Sequence, residues 1–358
     1  MPGVLPGSRG TRRQDFGPGG GPVPKHDEQP NRVRRGRVTE DTQIRAYSLH
    51  GLCVFSELPL AQPACEGSPD LHIRWGGSRD ANVRRGEVLA RLNPPLGDYT
   101  LSRTASGYVV HFPGLCDFEI QRSRRVVDVH LAAGADPDVV PILLGGNVVA
   151  LLLGLSGKDA LHASAIRLEG RTIAIVGGAG MGKSTLAAMF CSLGAELVSD
   201  DLLRVEIDRG IAYCFNGTGQ IRLRAAATEL AGRVNSSTTQ RTYDGRIAIG
   251  VRQPTASRLA LDALLLPRPS KRAKSLRVER LRPRDAVEQL IRYPRITGWQ
   301  IVEPIQRHFQ AAIDLAKSVP TYSATIPWGP PFSHDIPSLL LEEMGFVDVG
   351  AGTATPSR

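Results

Sequence analysis

The sequence predicts an α/β fold, in which a small β-rich part leads into a larger core of mixed strands and helices. A glycine-rich run lies between an apolar strand-like segment and a helical one at residues 172–190. Short strand-like runs bounded by Gly, Pro, Asp or Ser fill residues 44–130. Helical spacing of apolar residues returns at 139–155, 283–293 and 299–318.

Composition narrows the class further. At 358 residues the chain has room for two domains, and 41% hydrophobic against 22% charged residues supports a buried core. Only 5% of residues are aromatic, which disfavours stacking on single-stranded nucleic acid. The net charge of +9 is mostly arginine, and its two clusters, 32–37 and 268–284, interleave no aromatics, so both are expected to be solvated rather than nucleic-acid-binding. The longest apolar run, 148–155, is too short to span a membrane, and no apolar segment of a signal peptide opens the chain. Cysteines at 53, 65, 116, 191 and 214 have neither metal-site spacing nor an even count. A cytoplasmic protein with reduced thiols is the expectation.

In chain order, residues 1–40 are rich in Gly, Pro and Arg and are expected to form a disordered tail. Residues 41–135 read as a small β-rich domain, with runs at 44–55, 71–75, 99–103, 108–112, 118–121 and 126–130. His50, His72, His111 and His130 fall on separate runs and form no catalytic constellation. A larger domain covers 136–330. Asp138 is placed to cap a helix over 139–155, followed by a hairpin of 161–168 and 172–176 around a Glu169-Gly170 turn. Strands are expected at 196–199, 259–266, 275–281 and 321–326, the middle two flanking a basic loop. Residues 331–358 read as an extension with one short helix near 337–344.

The chemistry is concentrated after the hairpin. Gly177, Gly178, Ala179, Gly180, Met181, Gly182, Lys183 and Ser184 match G-x-x-x-x-G-K-[ST] between a strand and a helix that begins with Thr185. Glycines let the backbone wrap phosphates, and the helix N-terminus favours their charge. Lys183 can reach the outer phosphates of ATP, and Ser184 can hold Mg²⁺. Sixteen positions beyond Ser184, a short strand runs into Asp200-Asp201. Neighbouring side chains on a strand point to opposite sides, so one carboxylate is expected at the metal and the other at the attacking group.

Leu161-His162-Ala163-Ser164-Ala165-Ile166, the hairpin, the phosphate loop and Leu197-Val198-Ser199-Asp200-Asp201 together resemble HPr kinase/phosphorylases. They resemble more closely the shorter HPr-kinase-related bacterial proteins, some found in lasso-peptide clusters. ATP-type PEP carboxykinase shares the nucleotide-binding core more distantly. The resemblance is dense over residues 140–205 and implies a PEP-carboxykinase/HPr-kinase-like P-loop kinase core with a small β-rich N-terminal domain. It implies ATP and Mg²⁺ as cofactors, and a serine-bearing protein or peptide as acceptor. By the same resemblance Asp201 joins Ser184 at the metal, Asp200 accepts or orients the acceptor proton, and His162 lies near the transferring phosphate. His162 reads equally well as a buried structural residue.

HPr kinases carry an Arg-Gly-Leu-Gly type signature that is absent here; Thr218-Gly219-Gln220-Ile221-Arg222-Leu223-Arg224 stands at the comparable stage. Arg222 and Arg246 are the candidate clamps for phosphate or an acidic substrate. The expected function is an ATP-dependent serine kinase, with a non-catalytic nucleotide sensor or scaffold as the alternative and a homo-oligomer left open.

Overall fold

The computed structural model describes residues 43–346, apart from 61, 80–85 and 93–97. The expected tail and the last twelve residues of the extension lie outside the described residues. What is described is a mixed α/β protein with several sheets.

The first sheet has eight strands, in spatial order Arg45–Leu49, Leu52–Ser56, Leu71–Ser78, Val126–Leu131, Cys116–Gln121, Gly107–Phe112, Tyr99–Arg103 and Glu87–Leu92. The run expected over 44–55 is two strands, because His50 and Gly51 both take positive φ and close a two-residue hairpin. Glu87–Leu92 escaped the sequence reading. The sheet's buried side chains, among them Tyr99, Phe112 and Phe118, pack against the apolar segment 139–155. That segment is not one continuous α-helix. Val139–Leu143 and Val149–Leu155 are α-helical, and between them Leu144–Val148 forms a π turn that contains Gly145-Gly146-Asn147. Asp138 does not cap with its side chain; Asp136 Oδ1 accepts the Asp138 N–H at 2.9 Å instead.

One cysteine expectation fails. Cys53 and Cys65 are disulfide-bonded, with Cα atoms 5.7 Å apart, while Cys116, Cys191 and Cys214 are free and buried. The spacing of twelve gave no signal, because the pair meets only once residues 63–65 lie against the first strand. There Ser48 N–H donates to Pro63 O and Cys65 N–H to Ala46 O.

The second sheet has six strands, in the order Glu196–Ser199, Ala163–Leu168, Arg171–Val176, Ala263–Ser270, Thr321–Pro327 and Arg277–Arg280. Alternation divides its side chains between two cores. Ile173, Ile175, Leu197 and Leu265 pack on the helix Lys183–Ser192 and on Ile336–Glu343. Ala174, Val176, Val198 and Leu264 pack on Pro283–Leu290 and Val302–Ser318. The basic segment expected as a loop is partly strand, and Thr321–Pro327 separates the two strands thought to flank it.

A third, four-stranded sheet orders Arg258–Ala260, Ile211–Phe215, Leu203–Asp208 and Asp159–Leu161. A fourth holds Gln220–Leu223, Ile247–Gly250 and Thr238–Arg241. The run expected over 161–168 therefore breaks at His162. Asp159–Leu161 pairs with Leu203–Asp208 in the third sheet, and Ala163–Leu168 pairs in the second. The chain crosses back between the same two sheets at residues 200–202. These two crossovers are neighbours, and they place His162 and Asp200-Asp201 in one seam.

Candidate active site

Local conformation builds the phosphate loop. Gly182 sits at φ 78° immediately before the helix Lys183–Ser192, and a Cβ there would meet the Trp328 ring at 2.4 Å. Only glycine satisfies both the left-handed conformation and that close approach. Lys183 is 6% exposed and donates to Gly178 O at 2.9 Å, which folds its side chain back over the loop. Burial lowers its ammonium to about 8, against the raising influence of Asp201 and Asp200.

The two aspartates have sharply different surroundings. Asp200 is buried, and its Oδ1 accepts hydrogen bonds from Ser184 at 2.8 Å and Ser164 at 2.5 Å. Its Oδ2 accepts the Arg222 N–H at 3.2 Å. Asp201 is half-buried at φ 72°, a left-handed conformation that Asp tolerates better than most residues. Its Oδ1 lies 3.2 Å from His162 Nε2, and its Oδ2 lies 2.9 Å from Arg295 and 3.6 Å from Arg222. Burial alone would raise the Asp201 carboxyl. Arg295, the hydrogen bond from His162 and Arg222 outweigh it and hold the group well below the usual carboxylate range.

The geometry departs from the sequence expectation on one point. The carboxylates do face different groups, but the phosphate-loop hydroxyl of Ser184 meets Asp200 and not Asp201. Alternation predicts opposite sides; it cannot predict which side each takes once past the strand, which ends at Ser199, because Asp201 has already left extended backbone.

His162 Nε2 is also 3.0 Å from Lys183 Nζ. One ring nitrogen cannot donate to Asp201 and accept from Lys183 together, so the two contacts compete for it. Burial lowers the His162 pKa, with Lys183 adding to that and Asp201 opposing it, which favours the neutral ring.

A cavity of about 650 Å³ brings together His162, Lys183, Ser184, Thr185, Asp201, Arg222 and Arg246, together with Gly178, Ala179, Gly180 and Gly182 of the loop. Gly177 and Met181 do not border it, and Asp200 lies behind Ser184. The clamp candidates share one partner: Asp244 Oδ2 is 3.1 Å from Arg246 Nε and 3.7 Å from Arg222.

Sequence reading missed Arg295, which links Asp201 to Asn147 Oδ1 with two contacts of 2.9 Å. It also missed Trp328 and Tyr293 on the cavity wall. Two signals were available. Gly145-Gly146-Asn147 interrupts an otherwise apolar helical run, and Arg292-Tyr293-Pro294-Arg295 puts two arginines around a proline just past a helix.

Among the described residues no three His, Cys, Asp or Glu side chains gather as a self-contained metal site. A magnesium ion held jointly with phosphates needs less protein than that: a hydroxyl and one or two carboxylates. Ser184 with Asp200 meets this requirement, and every candidate ligand is a hard oxygen.

No family model matches the chain, and no curated protein matches it. Among solved structures, the Hpr(Ser) kinase/phosphatase from Coxiella burnetii is similar over 52% of this chain and 95% of that chain, at 12% identity and a TM-score of 0.27. Among the described residues no helix is long and apolar enough to cross a membrane.

Proposed function

We propose that this protein is an ATP- and magnesium-dependent kinase that phosphorylates a hydroxyl, a serine of a small protein or peptide. One observation carries the reading: adjacent carboxylates serve two different sets of partners, Asp200 the phosphate-loop hydroxyl and Asp201 a histidine and two arginines. A site that only bound nucleotide would need the first carboxylate and not the second.

In this reading the loop N–H groups and Lys183 hold the phosphates. Ser184 and Asp200 hold magnesium, which, when bound, neutralises phosphate charge. Asp201 receives the hydrogen bond of the acceptor hydroxyl. The roles expected of the two aspartates are thus exchanged. A carboxylate held so acidic is a weak base, so Asp201 orients the hydroxyl more than it removes the proton. A loose phosphoryl-transfer transition state asks for little more. When Lys183 turns to a phosphate, His162 is released to donate to Asp201 and fix it. Arg222 and Arg246 then face the charge that develops on the transferring group.

Incubation with γ-labelled ATP, Mg²⁺ and cell extract, followed by mass spectrometry, tests the reading. A phosphoserine product is expected, and Lys183→Ala should lose about a hundredfold or more in MgATP affinity. Wild-type protein that binds MgATP and labels nothing would favour the sensor or scaffold. Unchanged ATP affinity in Lys183→Ala would remove the phosphate-loop assignment.

A further inference from the structure

We infer that the acceptor is an extended polypeptide segment that docks in a second cavity, on the side of Asp201 away from the phosphate loop. The inference rests on the kinase reading above. This second cavity, of about 590 Å³, shares Ile142, Gly146, Asp201 and Arg222 with the nucleotide cavity, but none of residues 178–185 borders it. Two substrates entering from the two cavities would meet at one carboxylate.

Three parts of the chain build its walls. Leu60 and Gln62 come from the disulfide-closed loop of the first sheet, and Gly145 and Gly146 from the π turn. Gln220 and Arg222 come from the three-stranded sheet, whose Ile221 and Leu223 turn into the core behind, and Thr218 from the segment just before it. The register Arg222↔Ala248↔Gln240 puts Gln240 on the same polar face. At Gly146 a Cβ would lie 3.6 Å from Asp201 Oδ2 and 3.4 Å from Arg295, so the missing side chain leaves that carboxylate accessible. π turns inside helices are frequent at functional sites.

The lining chemistry fits peptide groups. Gln62, Gln220 and Gln240 each offer a donor and an acceptor, and Gln62 Oε1 is buried with no partner among the described residues. A free sheet edge decides for a chain over a small alcohol. All four residues of Thr238–Arg241 are exposed, and no described strand pairs with its outer side. Gln240 and Arg241, strand neighbours whose side chains point to opposite faces, both border the cavity, so the strand presents its edge there and not one face only. Thr242 N–H donates to Arg246 O at 2.9 Å, which sets the phase of the antiparallel ladder. By its alternation Thr238 and Gln240 turn inward, and Thr239 and Arg241 turn their N–H groups out. An extended peptide running out from Asp201 can add to this edge.

A library of serine-centred peptides carrying a flanking benzophenone reads transfer and docking separately. Wild-type protein with labelled MgATP should phosphorylate a subset, and irradiation without nucleotide should crosslink that subset to residues 59–62 or 238–243. Gln240→Trp fills an exposed position of the groove, and Thr239→Pro deletes an outward N–H that bonds nothing in the ladder. Each should raise the peptide KM by about tenfold or more, with the MgATP Kd from calorimetry moving less than about twofold. Unchanged peptide KM in both variants overturns the docking site, as do crosslinks confined to other surfaces. Phosphorylation of small polyols but no peptide overturns the polypeptide class. Failure of the kinase reading looks different, because wild-type protein would then label no acceptor, whether or not it binds MgATP. The nucleotide-free crosslinks would still decide whether the groove holds a peptide.

Discussion

The eight-stranded and six-stranded sheets solve the same packing problem and contribute to the site in opposite ways. The six-stranded sheet ends at the candidate site: Val176 leads into the glycine-rich loop and Ser199 into the two aspartates. No strand of the eight-stranded sheet ends at the phosphate loop or the aspartates. Its Leu92 and Tyr99 border the larger cavity, and beyond that wall what it contributes is fixation. Arg91 N–H donates to Gly298 O at 2.9 Å and Gln300 N–H to Leu89 O at 2.7 Å, which ties residues 298–300 to its last strand. A few residues earlier the same segment is tied to the seam of His162 and Asp200-Asp201, where His162 N–H donates to Tyr293 O and Arg295 N–H to Ala160 O. Arg295 carries that fixation to Asp201. One sheet supplies the candidate site residues, and the other holds the strap whose Arg295 meets one of them.

The largest expected effect lies wholly on the chemical side of this comparison. Asp201→Asn should lower phosphate transfer by about 10²-fold, the cost of a misplaced acceptor hydroxyl, with MgATP affinity little changed. Asp200→Asn should instead weaken Mg²⁺-dependent nucleotide binding, because its carboxylate meets Ser184. Calorimetry of MgATP with single-turnover transfer separates the two. Equal loss of MgATP affinity in both variants would erase the division of labour.

A second prediction asks whether the sheets are coupled. A Cβ on Gly298 would fall 1.8 Å from Arg91 O, a backbone atom that cannot swing aside. Gly298→Ala must therefore push the strap off the eight-stranded sheet. If the strap positions Arg295, transfer should fall by up to about 10²-fold, the cost of a misplacement near 1 Å, while MgATP binding stays close to wild type. A variant with native circular dichroism and full turnover would show that the sheets act independently.

These two regions also differed in how far the sequence disclosed them. The glycine-rich turn between strand and helix and the Glu169-Gly170 hairpin were legible because local spacing alone specifies them. His162 was legible as a residue but not as a position, since a strand that changes sheets at one residue looks continuous in sequence. The strands between 203 and 250 went unread. Thr238–Arg241 is exposed throughout and so has no apolar alternation to detect. Arg295 reaches Asp201 across 94 residues, a contact that only the fold creates.

The third prediction concerns charge on the chemical side. Burial brings the Lys183 ammonium down to about 8, so the free protein keeps its phosphate-binding cation below that pH and loses it above. MgATP affinity should be flat from neutral pH to about 8 and then fall by about tenfold per unit. Binding above pH 8 should take up a proton, because a bound phosphate favours the ammonium. Calorimetry in buffers of different ionisation enthalpy reads that uptake directly. A flat affinity to pH 10 would mean that Lys183 is not the cation that phosphate meets.

The smallest effect on transfer is expected on the other side of the comparison, at Cys53–Cys65. The bond closes a loop with a sequence separation of 12, and chain entropy alone assigns such a loop about 3 kcal/mol. That contribution comes from constraining the unfolded chain, so native contacts do not replace it. Ser48 N–H to Pro63 O and Cys65 N–H to Ala46 O still hold the folded loop in place without the sulfurs. Reduction should therefore lower Tm by about 6–12 °C, at about 2–4 °C per kcal/mol for a chain of this order of size, and leave the loop folded below that temperature. It should leave MgATP affinity untouched, because neither cysteine nor the enclosed loop borders the nucleotide cavity. The loop does supply Leu60 and Gln62 to the second cavity, so peptide KM should rise modestly on reduction while the MgATP Kd does not. Thiol labelling under native conditions, followed by mass spectrometry, establishes the starting state, with Cys116, Cys191 and Cys214 as the three free, buried thiols. A fall in MgATP affinity on reduction would show that the disulfide is coupled to the cavity that the first sheet borders through Leu92 and Tyr99.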